Sequence, residues 1–165
     1  MKEKLAIVLL GHQESGKSMT WINLFQSNVK TGKYIRDLKL NNEEYVNVFL
    51  KNGSFEEREE EIEDMSFLEE IGILLISVQY IEHGIKTIDY LIEKNFGIII
   101  QWLNPGYKDS DVRYFDYLGL IDRFISKGVT IQIRNGKEDP SERVNEIKGF
   151  IYGWAKQNDL ILRYS

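Results

Sequence analysis

Gly11-His12-Gln13-Glu14-Ser15-Gly16-Lys17-Ser18 is the stretch on which the reading of this chain turns. It fits the pattern G-x-x-x-x-G-K-[ST], a loop that wraps a chain of phosphates. The flanks matter as much as the letters. Leu5-Ala6-Ile7-Val8-Leu9-Leu10 runs into the loop as an unbroken apolar segment, the pattern of a parallel strand buried on both faces. Behind the loop, Met19, Ile22 (with Trp21), Leu24-Phe25 and Val29 recur at roughly helical spacing, which predicts a helix opening where the loop ends. Gly11 lets the chain leave the strand in a conformation that a side chain would oppose. The backbone N–H groups of the loop then turn inward as a nest for an anion. Gly16 allows close approach of the backbone to the phosphates, and the helix presents free N–H groups and partial positive charge to the same anion. Lys17 is placed to reach the β- and γ-phosphates, and Ser18 to put a hydroxyl on Mg²⁺. Contacts to a nucleoside triphosphate are therefore expected from Gly11, His12, Gln13, Glu14, Ser15, Gly16, Lys17, Ser18 and Met19. The motif argues for binding and leaves the reaction open.

Composition narrows the class. A chain of 165 residues, 42% hydrophobic and 12% aromatic, suits one domain spanning residues 1–165 with a sizeable core. A net charge of -5 argues against non-specific nucleic-acid binding through a basic face. With no cysteine there is neither a disulfide nor a thiolate metal site. The two histidines, His12 and His83, are too few for a His-rich site; His12 either covers a base or phosphate or is simply an exposed polar residue of the loop. The first apolar run stops at Gly11, too soon for a secretory segment, and no run approaches the length of a membrane span. A cytoplasmic protein is expected.

Further strands are read at Tyr45-Val46-Asn47-Val48-Phe49-Leu50, nearer an edge because it alternates, at Ile73-Leu74-Leu75-Ile76-Ser77-Val78, at Gly97-Ile98-Ile99-Ile100-Gln101-Trp102-Leu103, and at Val129-Thr130-Ile131-Gln132-Ile133-Arg134 with one face less buried. Helical patterns fall between them. Ile85, Ile88 and Leu91-Ile92 mark one; Phe115, Leu118, Ile121-Asp122 and Phe124-Ile125 mark another, ended by Gly128. Asp139 as cap, Pro140 and Glu142 open a last helix whose apolar stripe is Val144, Ile147, Ile151 and Trp154. Strands alternating with helices imply an α/β fold: three layers, α/β/α, with a mostly parallel sheet of about five strands, the loop-bearing strand central and the ligand at the carboxyl ends of the strands. One segment stands apart, the acidic Glu56-Glu57-Arg58-Glu59-Glu60-Glu61-Ile62-Glu63-Asp64, read as a solvated helix face or as a contact surface for a basic partner.

With loop and strands in place, the chain resembles the P-loop nucleotide kinases. The stretch from residue 73 to 106 resembles the small deoxynucleoside monophosphate kinases of bacteriophages and their bacterial relatives, whose corresponding strand ends hydrophobic-Ser/Thr-Asp-Val-Arg-Phe/Tyr and whose next strand ends near Arg-Pro-Gly. Here the letters are Leu75-Ile76-Ser77-Val78-Gln79-Tyr80 and Leu103-Asn104-Pro105-Gly106. Ser77 falls where that family has Asp, and Gln79 where it has Arg, so both charges are missing. The resemblance implies a P-loop NTPase fold, ATP with Mg²⁺, and phosphoryl transfer to a small nucleotide-like acceptor. Lys17, Gln79, Glu82 and Arg113 are the residues assigned to that transfer, with Asp64 as another substitute for the missing acid and Arg123, Arg134 and Arg143 as further cations over the transferring group. An acidic region between the second and third strands would repel an acceptor phosphate unless Lys33, Arg36, Lys39 and Lys51 offset it, which favours a less charged acceptor.

Two rival readings stand beside the kinase. Gln13-Glu14-Ser15-Gly16-Lys17-Ser18 is similar to the loop of heterotrimeric G-protein α subunits, which suggests a nucleotide-dependent switch. The Asp-x-x-Gly switch and the Asn-Lys-x-Asp guanine reader are both missing; Asn135-Gly136-Lys137-Glu138-Asp139 reads as a turn and helix cap, so GTP is disfavoured. The other rival is a binding protein that keeps the loop without catalysis and acts through a protein partner or as a homodimer, with Tyr107, Tyr114 and Tyr117 as candidate contact residues.

Overall fold

The computed structural model describes residues 4–30, 32–52 and 72–165, with the side chains of residues 32 and 33 left out. The acidic run 56–64, including Asp64, lies outside the described residues. The elements in chain order are β1 (Leu5–Gly11), α1 (Lys17–Phe25), β2 (Gly32–Lys39), β3 (Glu44–Asn52), β4 (Ile73–Gln79), α2 (Glu82–Glu93), β5 (Gly97–Leu103), α3 (Leu120–Ile125), β6 (Thr130–Arg134), α4 (Ser141–Gln157) and β7 (Leu162–Arg163).

One sheet carries all the described strands, in the order β2-β3-β4-β1-β5-β6, with β7 added beside β3. β1 is central and pairs in parallel with β4 (Gly11 opposite Gln79) and with β5 (Leu5 opposite Gly97). β3–β4 and β5–β6 are also parallel. The unbroken apolar letters of β1 follow from its place: Ala6, Val8 and Leu10 enter one core with α2 and α3, while Leu5, Ile7 and Leu9 enter the other with α1 and α4. This is the expected three-layer α/β/α arrangement. Trp21 and Leu24 anchor α1 on its face of the sheet, each worth about 2 kcal/mol of apolar burial.

Several expectations need correction. The sheet has two more strands than anticipated, β2 and β7, and both pair antiparallel with β3. β3 is therefore an interior strand rather than an edge. β2 escapes a hydrophobicity reading because its inward face is Tyr34, Arg36 and Leu38, and Arg36 covers the Phe25 ring, 4.0 Å from its centroid, in place of an apolar residue. α1 stops at Phe25 because Gln26 turns left-handed (φ 54°), so Val29 belongs to the following loop. The helix anticipated from Phe115 begins only at Leu120. Asp116 accepts hydrogen bonds from the Leu120 and Ile121 N–H groups, capping the helix there, and Phe115 is 87% exposed. Asp139 does act as a cap, accepting from the Ser141 N–H at 2.9 Å ahead of α4.

The order of the strands opens the site. The chain passes from β4 through α2 to β5, and those two strands lie on opposite sides of β1. The loops leaving the carboxyl ends of β4 and β5 diverge there, and the loop after β1 sits in the crevice between them.

Candidate functional site

The loop between β1 and α1 has the backbone of an anion nest. Glu14 (φ 57°) and Gly16 (φ 105°) are left-handed within it. Ser15 and Lys17 are buried, whereas Gln13, Glu14, Ser18 and Met19 are exposed. The Lys17 ammonium, on a residue only 7% exposed, donates to Gly11 O (3.1 Å), His12 O (2.9 Å) and Ser15 Oγ (3.3 Å). Its charge is thereby held over the loop that its own chain forms.

Two neighbouring loops wall this one in. After β5, the Tyr107 and Lys108 N–H groups donate to Ser15 O and Glu14 O at 2.9 and 3.2 Å. After β6, Gly136 N–H donates to Pro105 O, and Lys137 Nζ donates to the Tyr107 and Asp109 carbonyls. The fit leaves no room for side chains: a Cβ on Gly106 would stand 2.5 Å from Ser15 Cβ, and one on Gly136 would stand 2.6 Å from Ser15 O. His12 belongs to the same wall. Its ring stacks on Tyr114 at 4.1 Å, and its Nδ1 lies 3.2 Å from Asp109 Oδ1. Tyr80, Trp102 and Tyr114 extend the cluster behind it. Burial pushes both the Tyr80 and Tyr114 phenols well above the usual tyrosine range, Tyr80 further through the hydrogen bond it donates to Asp116, while Tyr114 Oη accepts from Trp102 Nε1.

On the opposite side, the described residues meeting the loop are amides. Ser18 Oγ donates to Asn52 Oδ1 at 3.1 Å, and Asn52 Nδ2 donates to Lys30 O. Asn52 ends β3 and is the residue that sequence reasoning missed. The resemblance points instead to the end of the strand 73–78, which is β4, and nothing local in the sequence links Asn52 to Ser18. Ser77 accepts a hydrogen bond from Trp21 Nε1 (2.9 Å) and is buried, so it serves the packing of α1 on the sheet.

The remaining assigned residues are scattered. Gln79 lies beside Gly11 across the β1–β4 pairing. Glu82 is exposed at the first turn of α2, and Arg113 is exposed on the β5–α3 loop. Arg123 pairs with Asp89, and Arg134 with Glu146. Arg143 lies buried behind Gly16. No group of three or more His, Asp or Glu side chains suited to a metal occurs among the described residues. The Ser18 hydroxyl and the Asn52 carbonyl fit Mg²⁺ only as an ion that the nucleotide phosphates already hold; two neutral oxygens complete a shell and do not create one.

The fold itself is shared with known structures. The chain matches translation elongation factor SelB from Methanococcus maripaludis, solved in complex with the GTP analogue GppNHp, with a TM-score of 0.54 at 16% identity over 94% of this chain. It spans about a third of that protein, 35% of its length. No protein-family model matches the chain, and no curated protein matches its sequence. No helix among the described residues is long and apolar enough to cross a membrane.

Proposed function

We propose that this protein binds a nucleoside triphosphate with Mg²⁺ on the loop 11–18 and uses the bound state mainly as a switch or to hold a partner. The observation that carries this reading is the closed cradle: left-handed Gly16, the Lys17 ammonium folded over the loop, and two glycines, Gly106 and Gly136, that let adjacent backbones press against Ser15. Such a wall is far more than a helix start needs. The likeness to a GTP-analogue-bound fold is in keeping with it.

ATP is the nucleotide we assign, because the chain has no Asn-Lys-x-Asp sequence and the Asn135-Gly136 turn after β6 is occupied in walling the loop. Phosphoryl transfer to a small acceptor is the weaker reading. It asks for an acid and cations around the transferring group, and the described residues nearest Ser18 supply an amide instead. In that reading Gln79 is the best placed of the assigned residues, since it adjoins Gly11.

Competition binding with ATP and GTP, together with phosphate release and transfer to a nucleoside monophosphate, tests this. We expect ATP to compete more strongly than GTP, with release slow and transfer undetectable. Rapid transfer would favour the kinase instead, and tighter GTP binding would overturn the base assignment.

A further inference from the structure

Arg143, in the first turn of α4, is 5% exposed, yet no carboxylate forms an ion pair with it among the described residues. Its guanidinium donates only to neutral oxygens. Nε and Nη2 reach Thr20 Oγ1 at 3.4 and 3.2 Å, and Nη1 reaches Glu138 O and Asn135 O at 3.1 and 3.5 Å. Glu138 and Asp139 are its nearest acidic neighbours; Glu138 meets it through its carbonyl, and Asp139 is engaged as the α4 cap. The Asp139 and Glu138 carboxylates act on this cation through space only, and a buried guanidinium whose hydrogen bonds all go to neutral oxygens is costly.

Its location supplies a reason. A Cβ on Gly16 would stand 3.7 Å from Arg143 Nη2, so the guanidinium lies directly behind the glycine of the phosphate loop. The Thr20 hydroxyl that accepts from Arg143 donates onward to Gly16 O at 2.8 Å, and the Thr20 N–H donates to the same carbonyl at 3.1 Å. In a trans peptide, a carbonyl drawn back toward Thr20 sends the Lys17 N–H the opposite way, out of the helix start and into the cradle. Hydrogen bonds in such a chain polarise one another, and the first donor here is a full positive charge.

Building on the phosphate-loop reading above, we propose that Arg143 is a positioning residue of the anion site. Through Thr20 it fixes the Gly16–Lys17 peptide with its N–H turned to the ligand, and its own charge adds to the attraction for phosphate.

Inorganic tripolyphosphate is the probe that tests this, since it removes base and sugar from the comparison. Its affinity is measured by calorimetry on the wild type, Lys17→Ala, Arg143→Met, Arg143→Lys and Thr20→Val, each checked for folding by circular dichroism. We expect Arg143→Met to bind about tenfold more weakly, with Arg143→Lys recovering to within about threefold of wild type because the charge is kept. Thr20→Val, which cuts the relay and leaves the charge, should lie between them, and carries the test if Arg143→Met does not fold. Equal losses in Arg143→Met and Arg143→Lys would mean a mere brace and overturn the inference, as would unchanged binding in Arg143→Met or in Thr20→Val. If the wild type binds and only Lys17→Ala fails, this inference falls while the loop reading stands; if the wild type does not bind, both fall.

Discussion

The two flanks of the phosphate loop are built to different standards. On the β5–β6 flank, backbone hydrogen bonds, two glycines without room for a Cβ and a buried arginine clamp the loop from outside. On the β3–β4 flank, the described residues facing or adjoining the loop are Asn52 and Gln79, and Ser77 is hydrogen-bonded to Trp21. One flank clamps the loop through backbone; among its described residues the other offers amides. The contrast teaches that, among the described residues, this fold packs the backbone of the loop 11–18 tightly on its β5–β6 side and meets it with single amide side chains on the other.

The sharpest way to break the contrast is on the rigid flank. Gly136→Ala forces a Cβ to 2.6 Å from Ser15 O, a backbone atom that cannot yield without opening the nest. Nucleotide affinity measured by calorimetry should fall by about a hundredfold or more, on the order of 3 kcal/mol. Affinity within a few fold of wild type would show that the wall is not part of the site. On the other flank, Ser77→Ala leaves the buried Trp21 N–H without its acceptor. Denaturant unfolding should register a loss of about 1–3 kcal/mol with nucleotide affinity unchanged; a fall in affinity would place Ser77 in the site after all. A smaller effect is expected from Asn52→Asp, which sets a carboxylate against the Ser18 hydroxyl. Nucleotide binding should strengthen by about tenfold with Mg²⁺ and weaken without it, since the new charge attracts the ion and repels bare phosphate. An identical response with and without metal would remove Asn52 from the metal's neighbourhood. The smallest is a control: Gly149, in the interior of α4, has nothing within 4 Å of a Cβ. Gly149→Ala should stabilise the fold by about 1 kcal/mol and leave binding untouched.

The same contrast governs what the sequence discloses. The rigid flank is legible at its centre, because the strand, loop and helix from Leu5 to Phe25 are contiguous and their apolar periodicity is strong. Its walls are not, for Gly106, Gly136 and Arg143 reach Gly16 and Ser15 only after folding, and a lone glycine or arginine carries no local mark of what it will touch. The β3–β4 flank is hidden from the sequence for a topological reason. Hydrophobicity gives strands their sequence order, whereas β4 inserts between β3 and β1, so the residue meeting Ser18 comes from the end of β3. β2 was hidden by the cation on its inward face, and the start of α3 by an Asp116 cap that overrode the apolar spacing from Phe115.

The central claim is that the loop 11–18 holds the phosphates of a nucleotide through Lys17. Titrating MgATP and MgGTP into the wild-type protein and into Lys17→Ala by calorimetry tests it most directly. The account predicts saturable binding of MgATP to the wild type, lost by about a hundredfold or more in Lys17→Ala because the ammonium is folded over the cradle. Equal affinity in the two proteins, or no binding of either nucleotide to the wild type, would contradict it.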